Sequence, residues 1–234
     1  MKITVLTLFP EMFAGPFDHS IIKRAKEKGI VEIEFINIRD FGEGQHKMVD
    51  DTPYGGGIGM VLKVDVLHKA IEHAKMTFLQ KSSHTMKQWV VLTSASGKLY
   101  KQSIAKQFSQ LDHLIIICGH YEGVDERITN YIDEEIAIGD FVLTGGELPA
   151  MMITDSVVRL VEGAITEGAV DDESFSKDAS LLEYPHFTKP RDYQKHSVPE
   201  ILLSGNHKKI AEWRQQQSYE KTKRMRPELL KKEE

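Results

Sequence analysis

The feature that most constrains this chain is a rhythm of short apolar runs, rich in β-branched residues, alternating with stretches of helical period. Residues 3–9 form the first run and stop at Pro10, as a buried strand would. Residues 31–38 alternate apolar and polar and read as a second strand. Residues 89–93 and 114–118 are further buried strands, with short ones at 135–138 and 141–143. Between them, 20–28, 64–76, 99–111 and 147–161 carry helical patterns, and a turn is expected at 94–97. Pro149 is compatible with the last helix because it sits in the first turn. Such alternation predicts an α/β fold with a largely parallel sheet.

The 234 residues suffice for one large domain or two small ones. The pattern changes after Gly163. We expect residues 1–163 to form the α/β domain, 164–176 a flexible linker, and 177–234 a small helical domain with Asn206 capping its main helix. The amino-terminal apolar run is too short for a signal peptide, and no run approaches the length of a membrane helix. Cys118 is the single cysteine, so an internal disulfide is impossible and a cysteine zinc site is unsupported. A cytoplasmic protein without a membrane partner is the expectation. Net charge is −5, but residues 206–234 carry +4 and leave −9 on residues 1–205. A basic tail on an acidic body is either a phosphate-binding footprint or a solvated helix face.

Walker A, G-x-G-x-x-G, G-x-S-x-G and H-E-x-x-H patterns are absent. Three glycine-bearing segments stand out instead. VDDTPYGGGIGM (49–60) places Asp50, Tyr54 and Gly59 in a loop that either approaches a ligand or is a flexible turn. CGHYEGVDERI (118–128) follows a buried strand, where ligands collect in open α/β sheets. Its Glu122 and Asp125 suit a base edge or ribose, or else a helix amino terminus. AIGDFVLTGGELPAM (137–151) either wraps backbone groups around a ring or simply turns into a helix. In that helix Asp155 and Arg159 share a face. A helix apolar nearly all round is expected to be buried, so Arg159 is either paired with Asp155 or catalytic.

These segments, with LFPEMF (8–13), LLEYPHFTKP (181–190) and LLSGNHKKIAEWR (202–214), appear in one order across nearly the whole chain. In this the sequence resembles the bacterial tRNA (guanine-37-N1)-methyltransferases, the TrmD family of the SPOUT superfamily. The resemblance implies a SPOUT-type parallel sheet with a deep trefoil knot at its carboxyl end, plus a small all-helical C-terminal domain. It implies S-adenosylmethionine as methyl donor, held by knot loops that match Leu92, Thr93, Ser94 and Gly97. The second loop matches Gly119, Tyr121 and Glu122. The third matches Ile138, Gly139, Asp140, Phe141, Val142, Leu143, Gly145, Gly146 and Pro149. It further implies a homodimer with shared active sites, a tRNA bearing guanosine 37 as substrate, and a role for magnesium, although no oxygen-ligand motif is visible. Asp50, Tyr54, Gly59 and Glu122 would then face the substrate base, and Lys208 and Arg214 the tRNA.

The chemistry follows from guanine itself. N1 carries a proton at neutral pH and must lose it as it attacks a methyl group, which calls for a carboxylate base. Charge then develops on O6, where a cation stabilises it. Arg159 matches the family's catalytic arginine, and Glu122 matches a residue that accepts from N1–H and the exocyclic amine. The family places an aspartate immediately before Ser-Phe. Here that position, anchored on Ser174-Phe175, is Glu173, with Asp172 the alternative base.

Overall fold

The computed structural model describes residues 1–80, 86–166, 168–171, 173–176 and 181–230. The chain divides into two compact units, Met1–Thr166 and Glu167–Glu234.

In the first unit, β1 (Lys2–Thr7), α1 (Ser20–Glu27) and β2 (Glu32–Asn37) are followed by β3 (Asp50–Asp51) and β4 (Val61–Leu62), a small antiparallel pair. Then come α2 (Val64–Leu79), β5 (Gln88–Leu99), α3 (Gln102–Phe108), β6 (His113–Cys118), β7 (Glu134–Ala137) and α4 (Glu147–Val158). Five strands form one sheet in the order β2-β1-β6-β5-β7, and every pairing is parallel. Parallel strands are covered on both faces, which is why β6 is apolar without a break from Leu114 to Cys118, whereas the edge strand β2 alternates. Strand geometry splits each run between the faces. Ile3, Val5, Leu114 and Ile116 pack with residues of α1, α3 and α4. Leu6, Ile115, Ile117 and Leu92 pack against α2, whose Val66, Leu67, Ala70, Ile71 and Ala74 form one apolar stripe. Each fully buried aliphatic side chain here contributes about 1.5–3 kcal/mol.

One polar residue is built into the start of β6. His113 is fully buried; Thr4 Oγ1 lies 2.8 Å from its Nε2 and Gln88 Oε1 3.2 Å from its Nδ1. Burial, with Lys2 nearby, pushes its pKa down to about 4, so the ring is neutral.

In the first unit the structure corrects the sequence reading at four places. No turn ends β5 at Ser94: the strand continues to Leu99, with one irregularity between Thr93 and Lys98. Gly97 permits this, because a Cβ there would sit 2.5 Å from Ile136 N. Leu99 is consequently in a strand, and α3 starts only at Gln102. Residues 141–143 are not a strand but an exposed loop, entered by a tight turn from Phe141 N to Gly139 O at 2.9 Å. Finally, α4 is not buried all round, since Leu148, Met152 and Asp155 are exposed.

The second unit contains β8 (Asp192–Tyr193), β9 (His196–Ser197), α5 (Glu200–Leu203) and α6 (His207–Met225). It is therefore not all helical. Gln194 and Lys195, both at positive φ, close a two-residue hairpin between β8 and β9. Asn206 caps α6 as expected, its side-chain oxygen accepting from Lys209 N at 3.1 Å. Residues 181–184 run along α6: Leu182 N donates to Thr222 Oγ1 at 2.9 Å and Lys221 Nζ to Glu183 O at 2.9 Å. No helix among the described residues is long and apolar enough to cross a membrane.

Candidate active site

The carboxyl ends of β5, β6 and β7 open into a cleft of about 430 Å³. Ligand sites in parallel α/β sheets form at this edge. A roomier cleft, about 650 Å³, lies at the other end of the sheet around Met1, Lys2, Glu32 and Leu111. It has none of the 49–60, 118–128 or 137–151 residues in its wall, so the smaller cleft is the better candidate.

Most of the expected cofactor residues meet in that cleft. Leu92, Thr93 and Ser94 come from β5, and Gly119, Tyr121 and Glu122 from the loop after β6. Ile138, Gly139, Phe141, Val142, Leu143, Gly145, Gly146 and Pro149 come from the loop after β7 and the first turn of α4. Gly97 and Asp140 do not line it. Ser96, His120 and Thr144, within the same matched loops, also line it, and so does Glu135, which the pattern missed. Ser96 Oγ lies 2.8 Å from Ser94 Oγ and 3.4 Å from Glu135 Oε2. Only the pairing of β5 with β7 brings these three together, and that pairing has no local sequence signal.

Backbone contacts hold the loops against one another. Gly146 N donates to Gly119 O at 2.8 Å, and Thr93 Oγ1 donates to Ile117 O at 3.0 Å. A Cβ on Gly146 would lie 2.7 Å from both Cys118 Cα and Gly119 N and would also strike Thr93 Oγ1. Only glycine lets the three segments approach this closely. Next to it Glu147 is buried, its Oε1 accepting from Thr7 Oγ1 at 2.8 Å. The Cys118 thiol is also buried. Burial, and then the Glu147 carboxylate, push its pKa well above the usual thiol range, so it is no nucleophile.

The 49–60 segment lies against the loop after β6. Asp50 pairs with Leu62, while Tyr54 and Ile58 stand out into solvent. Glu122 N donates to Met60 O at 3.1 Å, Leu62 N to Gly123 O at 3.1 Å, and Asp125 N to Leu62 O at 3.0 Å. Gly59 abuts the Glu122 side chain. The Asp125 carboxylate is already engaged. It accepts from Arg127 N at 3.0 Å and Arg127 Nε at 2.9 Å, and these hydrogen bonds hold its pKa below the usual carboxylate value. Asp125 is thus a cap, whereas Glu122 is exposed and lines the cleft, as do Glu126 and Glu135.

The proposed chemical residues lie in both units. Arg159 is half-buried at the carboxyl end of α4. Glu173 is a half-buried member of the second unit, and Asp172 lies outside the described residues. Lys208 and Arg214 are exposed on α6, with the Arg214 guanidinium 4.7 Å over the Tyr184 ring.

A backbone-walled cleft at the carboxyl edge of a parallel sheet defines a ligand-binding α/β protein. The profile of the family described as tRNA (Guanine-1)-methyltransferase TrmD matches residues 1–232. The chain is 50% identical over 238 residues to a tRNA (guanine-N(1)-)-methyltransferase of Endomicrobium trichonymphae, covering 99% of this chain and 100% of the relative. It is 51% identical to the protein of that name from Dictyoglomus turgidum (99% and 91% covered) and 50% identical to that from Clostridioides difficile (99% and 98% covered). The chain belongs to the TrmD family of tRNA (guanine-N1)-methyltransferases.

Proposed function

We propose that this protein transfers a methyl group from S-adenosylmethionine to N1 of guanosine 37 in tRNA. The observation that carries the reading is the glycine-walled cleft at β5, β6 and β7, in a chain that belongs to this family. Its size falls in the range of small-molecule sites. Its wall suits an adenine ring and a methionine tail, because apolar Leu92, Ile138, Phe141 and Leu143 line it beside polar Ser94, Ser96 and Glu135. Bound there, S-adenosylmethionine supplies an electrophilic methyl. We place the cofactor loops in a trefoil knot. That reading is supported by β5 pairing with β7 on both sides of its irregularity and by the Gly146–Gly119 hydrogen bond.

Glu122 accepts from guanine N1–H and the exocyclic amine, which orients the base. A linker carboxylate, Glu173 or Asp172, takes the N1 proton as the methyl group passes from sulfur to N1. The Arg159 guanidinium stabilises the charge that develops on O6. The basic α6 region, with Lys208 and Arg214, grips tRNA phosphates. Residues 1–163 thus serve as the cofactor-binding catalytic domain, 164–176 as the linker and 177–234 as the tRNA-binding domain. We assign a homodimer with active sites completed between subunits. Supporting it is the exposed apolar strip of Phe141, Val142, Leu148 and Met152 beside the cleft. For magnesium, no cluster of three or more His, Cys, Asp or Glu among the described residues makes a site, so no step is routed through it.

A methylation assay on an unmodified tRNA transcript tests the reading. The expected product is N1-methylguanosine at position 37, absent when position 37 is adenosine. Product on a ribose hydroxyl, or no product, would overturn it.

A further inference from the structure

We propose that Gly59 is a positioning residue for the Glu122 carboxylate: position 59 must lack a side chain so that Glu122 can meet the guanine edge. The proposal rests on the reading of Glu122 as the guanine-binding carboxylate.

The loop holds four glycines at positive φ: Gly55 (+88°), Gly56 (+79°), Gly57 (+138°) and Gly59 (+94°). Backbone conformation alone therefore does not distinguish position 59. The surroundings do. A Cβ on Gly55 or Gly56 would meet nothing within 4 Å, and one on Gly57 only Pro53 Cγ at 3.7 Å. A Cβ on Gly59 would fall 2.7 Å from Glu122 Oε1 and 2.9 Å from Glu122 Cδ, and would overlap Cγ. Real carbons do not approach so closely, so Glu122 would have to move.

How it moves is also set by the structure. The backbone of residue 122 is pinned to this same segment through Glu122 N to Met60 O, and Gly123 O is pinned by Leu62 N, both at 3.1 Å. The main chain cannot retreat without breaking these bonds. The exposed Glu122 side chain can rotate freely into solvent. A methyl group at position 59 thus adds little to the folding cost that its positive φ already imposes, but swings the carboxylate away from its place in the cleft. Displacement of a substrate-positioning group by about 1 Å is enough to slow a reaction by on the order of a hundredfold.

The test compares Gly59→Ala with Gly15→Ala. Gly15 has nearly the same φ (+96°) and nothing within 4 Å of its Cβ position, so it reports the cost of a side chain at such a φ without a steric contact. Gly59→Ala should melt within a few degrees of Gly15→Ala. Its single-turnover methylation of guanosine-37 transcript should nevertheless fall about tenfold or more, with affinity for S-adenosylmethionine unchanged. Glu122→Ala should be slow, and adding Gly59→Ala to it should slow it no further, because the two changes act through one group. Equal rates for Gly59→Ala and Gly15→Ala would overturn the proposal. So would multiplicative losses in the double variant, or a Gly59→Ala chain that melts far below Gly15→Ala. A Glu122→Ala chain that methylates at the native rate would sink the reading of Glu122 itself, and the proposal with it. The other three outcomes leave that reading standing.

Discussion

Thr7, the last residue of β1, donates its hydroxyl to the buried Glu147 carboxylate at 2.8 Å, and so ties the first strand to the start of α4. Thr7→Val keeps the shape and removes the donor. An unsatisfied buried acceptor costs about 1–3 kcal/mol. The melting temperature should drop by several degrees in a chain of this size, read by scanning calorimetry at neutral pH. A Thr7→Val chain as stable as the native one would mean that Glu147 finds another partner.

Gly146→Ala drives a methyl group into Cys118 Cα and Gly119 N. Overpacking of this kind costs about 1–3 kcal/mol. Relief by shifting the 138–146 loop would deform the cleft, so affinity for S-adenosylmethionine should fall at least about tenfold. Calorimetric titration of a variant with native circular dichroism reads this directly.

Cys118 should resist thiol reagents in the native state at pH 8 and react fully in denaturant. Both its burial and its raised pKa keep the thiolate out of reach. Rapid native labelling would contradict the packing of β6 against α4.

His113 makes stability depend on acid. Its folded pKa, about 4, lies below the ordinary histidine value of 6.5, so the unfolded chain binds the extra proton between those two values. Stability is therefore full above pH 6.5 and is lost as pH falls towards 4, by on the order of a few kcal/mol. Urea unfolding at pH 4.5 and 7.5 should show a smaller difference for His113→Gln than for the native chain.

The linker carboxylates separate by rate. Glu173→Gln should lower single-turnover methylation by ~100-fold or more, the scale of a general base. If Asp172→Asn carries that loss instead, the base is Asp172. Near-native rates for both would refute a linker base.

The sheet was readable because a strand buried on both faces must be apolar throughout, as residues 114–118 are. The edges were not, because they depend on partners. Ser94–Gly97 has the composition of a turn, yet it runs on within β5 as an extended insert between Thr93 and Lys98, which both face Ile136 of β7. Residues 141–143 are apolar enough for a strand but face open space beside the cleft. The hairpin at Gln194-Lys195 lacks the Asn-Gly pair that usually marks such a turn. At the site, glycines flagged the loops, but the Gly59–Glu122 contact joins positions 63 residues apart and leaves no periodic trace.

The strand order also has a consequence for synthesis. β1 lies between β2 and β6, and Lys2 is paired with both Glu32 and His113. Its inner neighbour emerges from the ribosome some 110 residues after it, a delay of roughly 6–20 s at ordinary translation speeds. For that interval Ile3, Val5 and Leu6 lack the β6 partner that closes this edge in the folded protein. The sheet's central pairing is complete only when β6, the strand that leads into the cleft, has been made.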